Sequence, residues 1–179
     1  MKPSTKTPKL LLIADNSGAA ITLAKALGIA RQTKGYYESE NTVITHASAQ
    51  MFTMREPASF IVEDIYSFIN LPVIPDRLDL LPSEASKDHL NIIGQLLKRD
   101  DISAICNACR ETPDGEFLFH GIMRHFRCHK PVGRLRLGAM TEEGIRQSFS
   151  NLSAPSDAAV LNEAAIWRAQ INWLDDTNC

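Results

Sequence analysis

Tyrosine and tryptophan are scarce in this chain, with three Tyr and two Trp among 179 residues. The tyrosines are Tyr36, Tyr37 and Tyr66, all in the first half. Cysteine is sparse too: four residues, at 106, 109, 128 and 179, are too few for a disulfide scaffold. No apolar run approaches the ~20 residues of a membrane span. The opening MKPSTKTPKLLLIAD has too short an apolar core for a signal peptide. The expectation is a cytoplasmic protein with no membrane partner. Neither sign of charge dominates, and a formal net charge of −2 excludes a polycation. Any nucleic-acid contact must therefore come from a local patch. There is no internal repeat and no low-complexity segment. What is present is ordinary for a globular chain: 44% hydrophobic and 22% charged residues. We expect residues 1–8 to be a flexible leader and residues 9–179 a single domain.

The informative stretch is Ile102 to His120, ISAICNACRETPDGEFLFH. Ile102 to Cys106 reads as a short buried strand. It breaks into a polar turn with Asn107, Cys109, Arg110, Glu111 and Asp114. Gly115 follows, and a helix is expected from Glu116 to Arg127 with Phe119, Ile122, Met123 and Phe126 inward. In open α/β sheets, ligands bind at turns leaving the carboxyl ends of strands. Upstream, KLLLIA at 9–14 is a continuous apolar run, as expected of a strand covered on both faces. Asp15-Asn16-Ser17-Gly18 is a turn, and Ala19 to Leu27 a helix closed by Gly28. Asp15 reads locally as a cap of that helix. Residues 35–41 read as a polar turn and Thr42 to Thr45 as a β-branched strand ending at His46.

Further on, Ser83 to Arg99 is an amphipathic helix with Leu90, Ile93, Leu96 and Leu97 on one face. From Phe117 to Thr141 there is no acidic residue, while Arg124, Arg127, Lys130, Arg134 and Arg136 all fall there. That is a local basic patch able to hold phosphates. Its bland alternative is a solvated surface whose charges point different ways. Val132 to Leu137 alternates apolar and basic, so Arg134 and Arg136 should share an exposed face. Thr141 caps a helix reaching about Leu152, and a last helix is expected from Asp157 to Leu174.

Cys106-x-x-Cys109 with His125-x-x-Cys128 has the look of a zinc set. The intervening helix, at ~1.5 Å per residue, separates the two halves by more than ~12 Å. One tetrahedral ion cannot span that. A redox pair at a helix start is the other special reading; the plain one is reduced thiols with Cys106 in the core.

Asn107-Ala108-Cys109-Arg110-Glu111 resembles a damaged copy of the Asp-x-Asp-Arg-Glu-Gly-Glu signature of Toprim domains, in the version of type IA DNA topoisomerases of the topoisomerase III kind. Arg110 and Glu111 match. Asn107 and Cys109 stand where the motif has aspartates, and Thr112-Pro113-Asp114 intervene before Gly115-Glu116. Leu71-Pro72-Val73-Ile74-Pro75 is similar to that family's Leu-Pro-Ile-x-Pro run. Leu135 to Arg146 resembles its Leu-x-x-Ser-Ala-Leu-Thr-x-x-x-Ile-Arg segment, and Ala164 to Leu174 its Ala-Leu-Ala-Arg-Ala-x-Ala-Asp-Trp-Leu segment. Asp15 falls where the family's first strand leads to a glutamate.

The resemblance implies an α/β fold, a Toprim-like mainly parallel sheet of about four strands flanked by helices. It makes Asp15, Arg110 and Glu111 the candidate catalytic residues, with Asp15 and Glu111 as metal ligands. Mg²⁺ is hard and wants oxygen donors, which Asn107 and Cys109 supply poorly. The expectation is no resident cofactor, with Mg²⁺ binding weak at most. In the family the nucleophilic tyrosine belongs to another domain, and none of Tyr36, Tyr37 or Tyr66 matches it. The expected function is a stand-alone degenerate Toprim protein that does not itself catalyse topoisomerisation. It would bind DNA or a DNA-processing protein through Arg110, Arg124, Arg127, Lys130, Arg134 and Arg136. The alternatives are residual Mg-dependent phosphodiester chemistry, as a split topoisomerase half or nuclease, and a protein-interaction module with no nucleic-acid role.

Overall fold

A computed structural model describes residues 7–54, 80–138, 140–152, 171–172 and 174–175. Its elements in chain order are β1 (Lys9–Ala14), α1 (Ser17–Ala26), β2 (Gln32–Thr33), β3 (Tyr36–Glu38), β4 (Thr42–His46), β5 (Phe52–Met54), β6 (Leu80–Pro82), α2 (Lys87–Leu97), β7 (Ile102–Ala108), α3 (Pro113–His125), β8 (Val132–Arg134) and α4 (Glu142–Ser150). One sheet has the order β2-β3-β4-β1-β7-β8, and β5 pairs with β6 separately. β4, β1, β7 and β8 run parallel, whereas β2 and β3 are antiparallel additions. The expected mainly parallel α/β sheet is therefore present, widened by a hairpin. Residues 35–41, read above as a turn, are part of that hairpin. Gly35, at φ +89, makes its tight reversal.

β1 lies at the centre because it is apolar on both faces. Leu11 and Ile13 pack on one side with Ile93, Leu97, Phe119 and Ile122. Leu12 and Ala14 pack on the other with Leu23, Ala24, Leu135 and Ile145. Helices α2 and α3 thus cover one face, and α1 and α4 the other. Gly94 of α2 makes room for a ring: a Cβ there would stand 2.4 Å from Phe126.

The amino ends of the strands are tied together by charge. Lys9 Nζ and Arg99 Nη2 both reach Glu38 Oε1, at 2.7 and 2.5 Å. Arg99 also forks onto Asp101, at 2.9 and 2.7 Å. The Asp101 carboxyl is held down to about 2, chiefly by that hydrogen bond. Lys130 Nζ donates to the carbonyls of Arg99 and Ile102 at 2.6 and 2.7 Å.

The carboxyl ends are where the chemistry-bearing side chains collect. Ala14 is in register with His46 on one side and Ala108 on the other. Asp15 and Cys109, the residues after β1 and β7, therefore emerge side by side. The segments 55–79 and 153–170, with the Leu71 to Pro75 run, Tyr66, Trp167 and most of the expected last helix, lie outside the described residues, as do Trp173 and residues 176–179.

Candidate functional site

A groove of about 690 Å³ opens at the carboxyl edge of the sheet between the β1–α1 turn, the β7–α3 turn and the chain after β8. Asp15, Asn16, Arg110, Glu111 and Arg136 supply its polar walls, and Leu135, Leu137 and Met140 most of its apolar lining. The two ends of the motif predicted from sequence, residue 15 and residues 110–111, thus share one cavity.

Each polar wall residue is held by local chemistry. Asn16, and not Asp15, caps α1: the Ala19 N–H donates to its Oδ1 at 2.8 Å. The cap reading of Asp15 is corrected here, because the shorter path to the free helix amides starts one residue later. Asn16 Nδ2 donates to Asp15 Oδ1 at 2.8 Å. Arg110 Nε donates to Asp15 Oδ2. The Asp15 side chain is 5% exposed and that of Arg110 73%, so the carboxylate is buried beneath the guanidinium.

β7 runs two residues further than expected and takes in Asn107. Its side chain turns back on the chain, where Oδ1 accepts the Cys109 N–H at 3.0 Å. The Cys109 thiol donates to the Ile13 carbonyl at 3.5 Å. Burial pushes both Cys106 and Cys109 up to about 12, so both remain neutral thiols. With the two side chains in separate core clusters as well, this speaks against the redox reading, which needs a low thiol pKa. Helix α3 separates Cys106 and Cys109 from His125 and Cys128, against the zinc set, and no group of three His, Cys, Asp or Glu positioned for a metal occurs among the described residues.

Thr112-Pro113-Asp114 is not a loop insertion. Thr112 caps α3, its Oγ1 accepting the Gly115 N–H at 3.2 Å, with Pro113 at the first helical position. The helix therefore starts three residues earlier than its apolar pattern suggested. Asp114 is exposed, whereas Glu116 turns inward. Glu116 Oε1 is paired with Arg134 Nη1. Its Oε2 stands 3.4 Å from Asn107 Nδ2 and 3.3 Å from His120 Nε2.

Arg134 also donates to the Cys109 carbonyl at 3.1 Å. The expected shared, exposed face of Arg134 and Arg136 is half right. Both reach within 4.0 Å of Glu111, but Arg134 is 13% exposed and Arg136 is 74%. Burial lowers the Arg134 pKa, and the Glu111 carboxylate opposes this.

The basic patch does not hold together. α3 runs antiparallel to the strands and, at 13 residues, is roughly 20 Å long. It carries Arg124 and Arg127 to the amino edge of the sheet, where Lys130 is already bonded to carbonyls. Only Arg110, Arg134 and Arg136 belong to the groove end. Sequence reasoning missed how Glu116, His120 and Arg134 interlock. The signal was there as an i, i+4 Glu-His pair on one helical face.

The donor set does not suit a hard cation. Asp15 is occupied by Arg110, Asn107 offers a neutral oxygen already in use, Cys109 a buried neutral thiol, and Glu111 faces two guanidinium groups. Three guanidinium groups, those of Arg110, Arg134 and Arg136, stand beside the carboxylates instead.

Comparison with known proteins fits this placement. No protein-family model matches the chain. A DNA topoisomerase 3 of Bacillus thuringiensis (strain Al Hakam) is 26% identical over 166 residues, covering 92% of this chain. DNA topoisomerase 3 of Bacillus subtilis (strain 168) is 25% identical over 171 residues, covering 95%. This is a Toprim-like relative of the type IA topoisomerases. The Toprim-like chain spans about a quarter of those curated relatives, 23% and 24% of their lengths. Among solved structures, full-length topoisomerase I from Thermotoga maritima overlays 81% of it, with a TM-score of 0.47 and 12% identity, over 21% of that chain. No helix among the described residues is long and apolar enough to cross a membrane.

Two histidines of the Toprim-like chain, the half-buried His46 and the buried His120, should make its stability pH-dependent. Burial, and secondarily the His89 ring stacked at 4.0 Å, lowers His46 to about 4. Burial also lowers His120 to about 4. Both bases have folded pKa values below their ordinary 6.5. The unfolded chain then binds more protons between about 6.5 and 4, so stability is full above that window and falls as pH drops through it. Urea midpoints measured from pH 7.5 to 4 should show this fall, and His120→Gln should flatten it. An unchanged profile in that variant would place the titration elsewhere.

Proposed function

We propose that this chain, as a unit over residues 9–179, is a catalytically degenerate Toprim-like protein. It binds nucleic acid through the carboxyl-edge groove without a divalent metal and without catalysing topoisomerisation. The observation that carries this reading is Arg110 seated on Asp15. A carboxylate of the metal and acid–base set that the resemblance implies is paired with the chain's own guanidinium. The same contact leaves the rest of that guanidinium at the groove mouth. Arg136 also lines the groove and stands exposed, 4.0 Å from Glu111. The relatives' printed name, DNA topoisomerase 3, supports DNA as the polymer. The reading takes the chain to work in the cytoplasm.

The test is a shift assay on single-stranded and duplex DNA at several salt concentrations, with EDTA present throughout. Binding should persist in EDTA and weaken as salt rises, because cation–phosphate contacts release counterions. Arg136→Ala should weaken every sequence alike and reduce the salt slope by roughly 1. Arg127→Ala, at the other end of α3, should leave both unchanged. Micromolar Mg²⁺ affinity by isothermal titration, lost in Glu111→Ala, would restore the metal-dependent reading. Absence of any DNA binding would favour a protein partner.

A further inference from the structure

A second basic surface lies at the amino edge of the sheet, at the far end of α3 from the groove. From it we infer a docking site for an acidic segment of a partner protein, centred on Arg124 and Arg127 with Lys98 beside them. Three observations carry this. First, the fold brings these cations together. The Phe126 ring packs on Gly94 of α2, so the carboxyl ends of α2 and α3 lie side by side. The Arg127 N–H donates to the Arg124 carbonyl at 3.1 Å, and Lys98, which closes α2, donates its N–H to the Gly94 carbonyl at 3.3 Å. Lys130 ties the two following turns through the carbonyls of Arg99 and Ile102.

Second, these charges are unspent. Lys98, Arg124 and Arg127 are exposed and make no ion pair among the described residues, whereas Arg99, Arg110, Arg134, Arg136 and Arg146 each face a carboxylate. Of the two acids in the turn after α2, Asp101 is held by Arg99 and Asp100 alone is exposed. Third, Arg127 has φ +48, the one positive φ of a non-glycine among the described residues. It follows α3 at a position that favours glycine. Arg124 and His125 already place positive charge in the last turn of α3, against the helix dipole. An arginine held against its backbone preference points to a use beyond the fold.

The free forks of Arg124 and Arg127 match carboxylates. Phe126, half-buried, and the exposed His125 and His129 add the aromatic surface that protein interfaces favour. Three cations fall short of the roughly six to ten phosphate contacts of a site that reads a DNA backbone. Two helix carboxyl ends behind them also disfavour a dense polyanion. The occupant is therefore a protein segment rich in glutamate or aspartate that also carries aromatic side chains.

Isothermal titration of the full chain with the peptide EEYEEEYEE and its glutamine counterpart QQYQQQYQQ tests this. The acidic peptide should bind, more weakly as salt rises, and at least roughly tenfold more tightly than the glutamine form. Arg124→Ala, Arg127→Ala and Lys98→Ala should each weaken it several-fold, and Lys87→Ala, at the other end of α2, should not. Arg127→Gly separates the two roles of that residue: it should raise the urea midpoint, since glycine takes the left-handed conformation freely, and still weaken the peptide. A stabilised Arg127→Gly protein with undiminished binding would overturn the site, as would equal affinity for the two peptides. Displacement of the bound peptide by duplex DNA would overturn the class of partner. The groove reading is tested separately, because its DNA binding depends on Arg136 and not on Arg127.

Discussion

Arg134→Ala is expected to cost about 3–5 kcal/mol of stability, the range seen when one partner of a buried ion pair is removed. The Arg134 and Glu116 side chains are 13% and 12% exposed, and the guanidinium also satisfies the Cys109 carbonyl. Truncation leaves a buried carboxylate with only Asn107 and His120 to meet it. A carboxylate without its cation pulls a proton from solution or from its neighbour. His120 should therefore titrate well above its present value of about 4 in the variant, and NMR of its ring would show this. Replacing Arg134 by Met and Glu116 by Gln together should recover much of the loss, since neutral, similarly shaped pairs often substitute well for buried ion pairs. Urea unfolding with unchanged slope is the measurement. A loss below about 1 kcal/mol for the single variant, the scale of a surface pair, would mean that the interior pair is not formed.

Gly115→Ala should also destabilise, although alanine is ordinarily the better helix former by about 1 kcal/mol. A Cβ at Gly115 would lie 2.3 Å from the Arg110 carbonyl oxygen. That obstacle is backbone, which no rotamer change can move aside. The first turn of α3 and the turn before it would have to part, disturbing the Thr112 cap and the seat of Arg110. Overpacking of this kind costs about 1–3 kcal/mol, so a net loss near the upper end is expected, together with weakened DNA binding. Gly94→Ala offers the contrast. It meets only the Phe126 ring, a side chain at the end of α3 that can rotate, so the same measurement should give a smaller change and leave DNA binding alone. A more stable Gly115→Ala protein would show that the two turns do not approach as described.

The parallel core was legible because its signals are local and strong. The mostly apolar runs at 9–14 and 102–106 read as strands covered on both faces, and the Leu90-Ile93-Leu97 stripe fits one helix. The boundaries at the site were less legible. Asn107 reads as a turn former, yet strand pairing with Arg134 and Ile13 holds it in β7. Thr112-Pro113-Asp114 reads as a loop until its capping role is seen. Grouping of charges was the least legible. Arg124, Arg127 and Lys130 are neighbours of Arg134 and Arg136 in sequence, but a helix length intervenes in space. Conversely, Asp15 and Arg110 are 95 positions apart, and only the register of β1 with β7 unites them. The apolar floor of the groove gave no sequence signal, since Leu137 and Met140 look like any other core residues.

The ties among Lys9, Glu38, Arg99, Asp101 and Lys130 join segments from β3 across to the entry of β8 at the amino edge. Well-separated sites contribute to stability nearly independently. Exposed residues at the opposite rim, such as Arg136, can therefore be exchanged without loosening those ties, whereas the buried Arg134–Glu116 pair there cannot. Such an arrangement lets the exposed chemistry at the groove vary while the strand scaffold beneath it is kept.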